Sequence, residues 1–402
     1  MSHHHVPRVE DTKITMDGLG SKVFMISALI GVVGLAVTFG LGLSQGDDLK
    51  HFAFAYLTNY AFFLSISLGA LIFMPIMYLT RASWNVVLRR LAEVTAAVMP
   101  LLAILAIPVI VFAGKVYGWT DPAVAASHAM THKAAYLSQG AFTIRWVIYF
   151  AIWSGYSLFF WRTSVSQDKS GDLKYTKRLE NFSGFAILAC ALSIAGASFD
   201  LLMSVDPLWF STMFGVYYWS GGFVTFFAVL TLALLGLQNT GRMQGIVSPE
   251  HFHDLGKLMF AFTFFWGYIA FSQFMLYWYA NIPEETSWYL VRTREGWDYI
   301  AYATLFATLL IPFLGLVSRF AKRSRKLLAF WAVWIIAAQW LNLYWVVIPE
   351  FSETLIFSPM YVTCFIGIGG LWFAGITKLA SSTSLVPTGD PRLDESLRFE
   401  NA

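Results

Sequence analysis

The chain has 402 residues, 57% hydrophobic and only 13% charged, with a net charge of +3 and a mean hydropathy of +0.60. A soluble domain carries about 25% charged residues, so this composition excludes an ordinary soluble protein, and the small net charge leaves no footprint for nucleic acid. The two cysteines, Cys190 and Cys364, fall inside apolar runs and read as small core residues, and no zinc, iron–sulfur or haem-attachment spacing is present.

A polar segment, 1–21, opens the chain without a signal-peptide pattern. His3, His4 and His5 in it are set aside as native or added. Ten apolar runs follow, at 22–43, 56–79, 94–112, 143–161, 182–205, 214–237, 258–280, 300–318, 327–348 and 359–379. A helix needs about twenty apolar residues to cross the hydrocarbon core, and barrel strands are shorter and alternate. The expected fold is therefore an all-α integral membrane protein with about ten transmembrane helices over 22–380. A polar tail, 381–402, is expected to lie along the cytoplasmic surface.

Lys and Arg set the direction of the spans. Of 27 such residues, Lys50, Lys115, Lys133, Arg145, Arg292 and Arg294 fall in connections on one side, and the remainder share the side of the N-terminus. Both ends are thus expected in the cytoplasm. The two long connections, 113–142 and 281–299, lie on the outer face and are dense in Trp, Tyr, Pro and charge, as loops that carry contacts or function often are.

Spans two to five and six to nine echo one another. Span five ends at Asp206-Pro207 and span nine at Pro349-Glu350. Tyr136-Leu137 and Arg145 precede or open span four, and Tyr289-Leu290 with Arg292 and Arg294 precede span eight. Two four-helix bundles with a peripheral helix at each end would explain this, and chance similarity between apolar segments is the alternative.

His51, His128, His132, His251 and His253 lie in loops or at helix mouths. A haem b bundle needs axial histidines inside its helices, so no haem is expected on this chain. Ionisable residues within spans are costly and are functional suspects. Asp200 sits about a turn before the outer end of span five, and Arg145 opens span four at a similar depth. A pair between them is either a proton relay or quinol-binding group, or a salt bridge joining two helices. Gln273 and Tyr277 share one helix face, and Gln339 and Asn342 lie at the same level. Such residues, with a wall of Met275, Trp278 and Trp345, suit a quinone head group; an interfacial aromatic belt is the plainer alternative. On the inner side Glu93 opens span three, and His253, Asp254 and Lys257 cluster with His251 at the mouth of span seven. They form either a proton entrance or a solvated helix start. Ser193, Thr225, Thr231, Thr263, Thr304 and Thr308 lie mid-membrane, where a hydroxyl lines water or bonds its own helix.

With these residues in view, the chain resembles the polysulfide-reductase-type (NrfD-like) membrane subunits. It is most similar to the smaller, ActF-type, of the two such subunits in bacterial alternative complex III. The resemblance spans nearly the whole chain. It rests on Ser198-Phe199-Asp200, on Asp206-Pro207-Leu208-Trp209-Phe210-Ser211-Thr212-Met213-Phe214-Gly215-Val216-Tyr217 and on His253-Asp254-Leu255-Gly256-Lys257. It rests also on Phe271-Ser272-Gln273-Phe274-Met275, on Tyr279-Ala280-Asn281-Ile282-Pro283-Glu284-Glu285, and on Asp390-Pro391-Arg392-Leu393 with Glu395-Ser396-Leu397.

The resemblance implies a respiratory or photosynthetic quinol:electron-acceptor oxidoreductase in the bacterial cytoplasmic membrane. It implies as partners a multihaem cytochrome c, an iron–sulfur subunit, a larger sister of this chain and other small membrane subunits. A quinol, menaquinol among the candidates, would be oxidised near the outer face. The larger sister is the better-supported quinol binder, so this chain would chiefly supply a proton path and scaffold. Arg145, Asp200 and Asp206 would form its outer relay, and His253, Asp254 and Lys257 its inner mouth. A membrane anchor without chemistry and a transporter are the competing classes. Pro75, Pro100, Pro108 and Pro312 do not form the matched pair of broken helices that a transporter would show.

Overall fold

The computed structural model describes residues 9–401; His3, His4, His5 and Arg8 lie outside them. Ten long helical elements account for most of the chain: α1 (Asp17–Ser44), α2 (Lys50–Leu79), α3 (Val86–Val111), α4 (Gln139–Ser170), α5 (Leu173–Leu201), α6 (Phe214–Asn239), α7 (Pro249–Ala280), α8 (Trp297–Leu316), α9 (Arg325–Val347) and α10 (Pro359–Ala380). Among the described residues there is no sheet, only an isolated bridge between Lys13 and Arg242. Nine of the ten are long and apolar enough to cross a membrane. The exception, α4, holds the fourth predicted span. It is 32 residues long, but Arg145, Arg162, Asp168 and Lys169 dilute its apolar character. The chain is an all-α, multi-pass membrane protein.

Local chemistry explains the breaks. Pro100 and Pro108 lack a backbone N–H, so α3 is a run of shorter helical segments, Val86–Ala97, Met99–Leu105 and Ile107–Val111. In α8 the turn before Pro312 widens to a π-helix over Phe306–Leu310. Gly171 ends α4 in the left-handed region at φ 66°, and its N–H bonds to Gln167 O. Asp172 then caps α5 by accepting from Lys174 N at 2.9 Å. This short turn makes α4 and α5 antiparallel neighbours, so the first turns of α4 face the last turn of α5.

Packing follows chain order. α3 packs on α2 and α4, and α5 on α4 and α2; likewise α7 packs on α6 and α8, and α9 on α8 and α6. The two groups meet mainly where α6 lies against α2 and α5. Some 83% of the apolar stretch of α2 is buried, against 17% for α1, so α2 is the centre and α1 the rim. α1 is held almost wholly by α10. Gly31 and Gly34 face Gly370 and Gly367 so closely that a Cβ on Gly34 would lie 2.8 Å from the Gly367 backbone. Small residues let helices approach without a hydrophobic drive between them.

Both chain ends meet at one end of the bundle, called here the terminal end. Met243 N donates to Lys13 O, and Leu385 N to Ile14 O. The tail packs onto this end of the bundle, with some residues buried and others, such as Asp394 and Glu395, exposed. Leu385, Val386, Asp390, Leu393 and Ser396 are all buried, and Ser396 Oγ donates to Trp84 O at 2.9 Å.

Gly34→Leu should destabilise the detergent-solubilised protein by about 1–3 kcal/mol, the usual cost of overpacking. Gly40→Ala, where an added Cβ meets nothing within 4 Å, should be neutral or slightly stabilising. Thermal unfolding of the two variants beside the parent checks the contrast.

Candidate functional site

At the opposite, far end, the antiparallel α4–α5 pair brings Arg145 to Asp200. Arg145 Nε donates to Asp200 Oδ2 and Nη2 to Oδ1, both at 2.8 Å. Tyr149, one turn further along α4, donates to Oδ2 at 3.0 Å. The third arginine nitrogen, Nη1, donates to Tyr136 O at 2.8 Å, and the guanidinium lies 3.7 Å over the Tyr136 ring. Asp200 is fully buried and Arg145 is 17% exposed. Burial, then the Asp200 charge, pushes the Tyr136 phenol up to about 12, so it stays protonated. A bidentate pair of this kind is both strong and directional. Asp206 stands apart from it. It accepts from Leu208 N at 3.0 Å and Trp209 N at 3.3 Å and so shapes the turn after α5.

A cavity of about 340 Å³ lies within the connection that leads into α4, lined by Trp119, Met130, Leu137, Ser138 and Gln139 among others but not by Arg145 or Asp200. One of its wall residues reaches the end of α5. Trp119 Nε1 donates to Ser204 Oγ at 3.3 Å and stacks on Tyr117, whose hydroxyl donates to Leu201 O at 3.1 Å. This volume is at the lower end of small-molecule sites, which run from about 300 to 1,000 Å³.

The second helix group repeats the arginine–carboxylate motif. Arg292, fully buried before α8, pairs with Glu350 after α9 at 2.9 Å. It also donates to Trp288 O at 3.0 Å and Val346 O at 2.7 Å, and lies 3.6 Å over the Trp288 ring. Burial pulls its guanidinium below the usual range, against the opposing pull of Glu350. Each group thus has an arginine at the start of its third helix, an aromatic ring beneath it, and a carboxylate at the end of its fourth.

The four residues predicted to hold a quinone fall into two separate groups. Gln273 accepts from Ser211 Oγ at 2.9 Å and donates to the Tyr289 hydroxyl at 3.2 Å, and Tyr277 donates to Phe210 O at 2.5 Å. Asn342 accepts from the Tyr217 hydroxyl, and its Nδ2 donates to Gln339 Oε1 at 3.4 Å. Gln339 and Asn342 line a cavity of only about 10 Å³ between α2, α6 and α9. That holds at most one water and excludes a quinone ring. Of the predicted wall, Trp345 packs edge-on against Trp288, whereas Met275 and Trp278 are exposed.

At the terminal end Lys257 pairs with Asp254 at 2.5 Å and donates to Asn401 Oδ1 of the tail at 2.7 Å. His253 makes no side-chain hydrogen bond among the described residues. His251 Nδ1 closes a capping box with Ser248 at the start of α7. Glu93 does not open its helix, which begins seven residues earlier at Val86. It is fully buried between Arg89 and Arg90, at 3.4 and 3.1 Å. Asp390 of the tail pairs with Arg89, and Asp168 of α4 with Arg90. Arg89, Arg90, Asp168 and Asp390 escaped the sequence reading because the arginines sat among loop charges. Their spacing from Glu93, four and three residues, was the available signal.

Most mid-membrane hydroxyls bond their own helices. Thr225 donates to Gly221 O, Thr231 to Phe227 O, Ser193 to Ala189 O and Thr308 to Thr304 O. The hydroxyls of Thr263 and Thr304 are buried with no hydrogen-bond partner among the described residues. No protein-family model matches the chain, and no curated protein matches it.

Arg145→Ala should cost about 3–5 kcal/mol, because it leaves Asp200 buried and unpaired. Asp200→Asn in the same chain should restore much of that loss. A double-mutant cycle on detergent-solubilised protein measures the coupling.

Proposed function

We propose that the chain is a membrane subunit of a quinol-oxidising electron-transfer assembly of the alternative complex III type. It crosses a bacterial cytoplasmic membrane ten times with both ends inside, as two four-helix bundles flanked by α1 and α10. The excess of Lys and Arg at the terminal end supports that orientation, and the motifs around Asp200 and Asp206 support the family. Electrons pass to cofactors of partner subunits, a multihaem cytochrome c and an iron–sulfur protein. A larger sister chain shares the membrane.

One observation carries the proposal: a fully buried carboxylate, Asp200, held by Arg145 and Tyr149 at the far end, the end that also holds a cavity of about 340 Å³ whose wall residue Trp119 bonds Ser204, one turn after Asp200. A bound quinol supplies an electron pair and its protons. Trp119, Met130 and Leu137 would wall its ring, and Ser138 and Gln139 would offer hydrogen bonds. Arg145 orients the Asp200 carboxylate as a proton acceptor, and Tyr149 and Tyr136 donate toward or stack on that pair. Gln273, Tyr277, Gln339 and Asn342 then act as packing and hydrogen-bond supports of the second bundle. At the inner end, Glu93 with the His253, Asp254 and Lys257 cluster would serve proton entry. A second role, membrane anchor without chemistry, is favoured by the closed bidentate geometry of Asp200, which leaves it well satisfied.

Asp200→Asn in the assembled complex should slow turnover on the order of tenfold or more, the scale of a lost proton-transfer group, with co-purifying c-type haem unchanged. Unchanged turnover and an unchanged proton-to-electron ratio would make the chain an anchor. A chain purified from native membranes with neither haem nor quinone would remove the assembly itself.

A further inference from the structure

The seam of α2, α6 and α9 holds a second cavity, far smaller than the one in the connection before α4. Its volume is about 10 Å³, its polar lining is Ser65, Thr225, Gln339 and Asn342, and Gly221 borders it. All four polar residues are buried, and Ser65 lies halfway along α2, deep in the apolar part of the bundle. An apolar cavity stays dry, but a polar one with room for a single probe sphere and two to four partners holds a water.

The hydrogen bonds around this cavity leave acceptors on one side and a donor on the other. Ser65 Oγ donates to Phe62 O and Thr225 Oγ1 to Gly221 O, both at 2.7 Å. Each hydroxyl has thus spent its one hydrogen and offers only lone pairs. Tyr217 donates to Asn342 Oδ1, which turns Asn342 Nδ2 toward Gln339 Oε1. That bond is 3.4 Å long, beyond the ordinary N–H···O range, so Gln339 Oε1 keeps its accepting capacity. Trp266 of α7 supplies the donor. It is 3% exposed, and its Nε1 is buried with no hydrogen-bond partner among the described residues. Gly221 lets these groups face one another because it has no side chain. A Cβ there would lie 2.8 Å from Gln339 Oε1 and 3.4 Å from Trp266 Nε1.

We propose that this place is a binding site for one structural water molecule, which accepts from Trp266 Nε1 and donates to Gln339 Oε1 and to the hydroxyl oxygen of Ser65 or Thr225. Two hydrogens and a free lone pair match two acceptors and one donor. A cation does not match them, because the indole N–H repels it and the lining includes no carboxylate; an unpaired charge is strongly disfavoured in such surroundings. The water ties α7 and α9 to α2 and α6, and so links the two helix groups halfway through the bundle. The site does not depend on the electron-transfer reading, and its test involves no turnover.

The test is proton-detected solid-state NMR of the full chain in lipid bilayers, with the tryptophan indoles labelled with 15N and magnetisation transferred from water protons. Trp266→Phe identifies the Trp266 signal. The parent should show a water cross-peak at the Trp266 indole and none at Trp334, whose Nε1 donates to Ala307 O at 2.8 Å. Gln339→Leu, which removes the main acceptor, should abolish the cross-peak. Gly221→Ala, whose methyl takes the space between Gln339 and Trp266, should abolish it too. If neither variant folds, the parent spectrum still decides the matter. A parent with no cross-peak at Trp266, or one equally strong at Trp334, would overturn the proposal. A cross-peak that survives Gln339→Leu but vanishes in the double variant Ser65→Ala, Thr225→Val would also overturn it, since exchange through hydroxyl protons would then be its source.

Discussion

The close approach of α2 and α6 is the constraint on which the rest of the bundle depends. Gly222 faces Ser65 so tightly that a Cβ there would lie 2.5 Å from Ser65 O, and Gly69 faces Phe226 and the Gly222 carbonyl. Tyr218 crosses the same seam to donate to Ala61 O at 2.7 Å. Apolar side chains gain little by leaving lipid for protein, so backbone proximity and interhelical hydrogen bonds must hold such a seam. Once α2 and α6 are joined, α3 to α5 gather on one side and α7 to α9 on the other. α10 then closes over α2 and α3 and carries α1 with it.

The buried ion pairs lie at the two ends. At the far end, Arg145–Asp200 and Arg292–Glu350 occupy matching places in the two helix groups, each arginine stacked on a ring. The pairs are not equivalent. Asp200 takes two of the three nitrogens of its arginine, whereas Arg292 divides its donors between Glu350 and two backbone carbonyls. The first arrangement ties the start of α4 to the end of α5; the second clamps the end of α9. Each helix group thus carries one such pair, with different hydrogen-bond partners.

At the terminal end the charges knit the chain termini to the helices. Arg242 donates to Thr15 O and Met16 O, Lys257 to Asn401, and Arg323 to Glu250. The acidic tail residue Asp390 goes deeper, into the α3–α4 junction. A segment that composition marks as polar is therefore an integral part of the fold, because buried arginines demand carboxylates.

The sequence by itself determined the class of protein and the order of its helices. Apolar runs of twenty residues have one economical structure in lipid, the self-satisfied helix, and their spacing shows in the residues themselves. Arg145 and Asp200 were legible too, because charges beside long apolar runs are rare and must find each other. Only the tertiary structure decided that Glu93 sits among four charges rather than at a helix mouth. It alone separated Gln273 and Tyr277 from Gln339 and Asn342. Those outcomes depend on which helix faces meet, and on contacts such as Arg89–Asp390 between residues some 300 positions apart. Periodicity along one helix carries no record of its neighbours, so such pairings emerge only when packing brings the faces together.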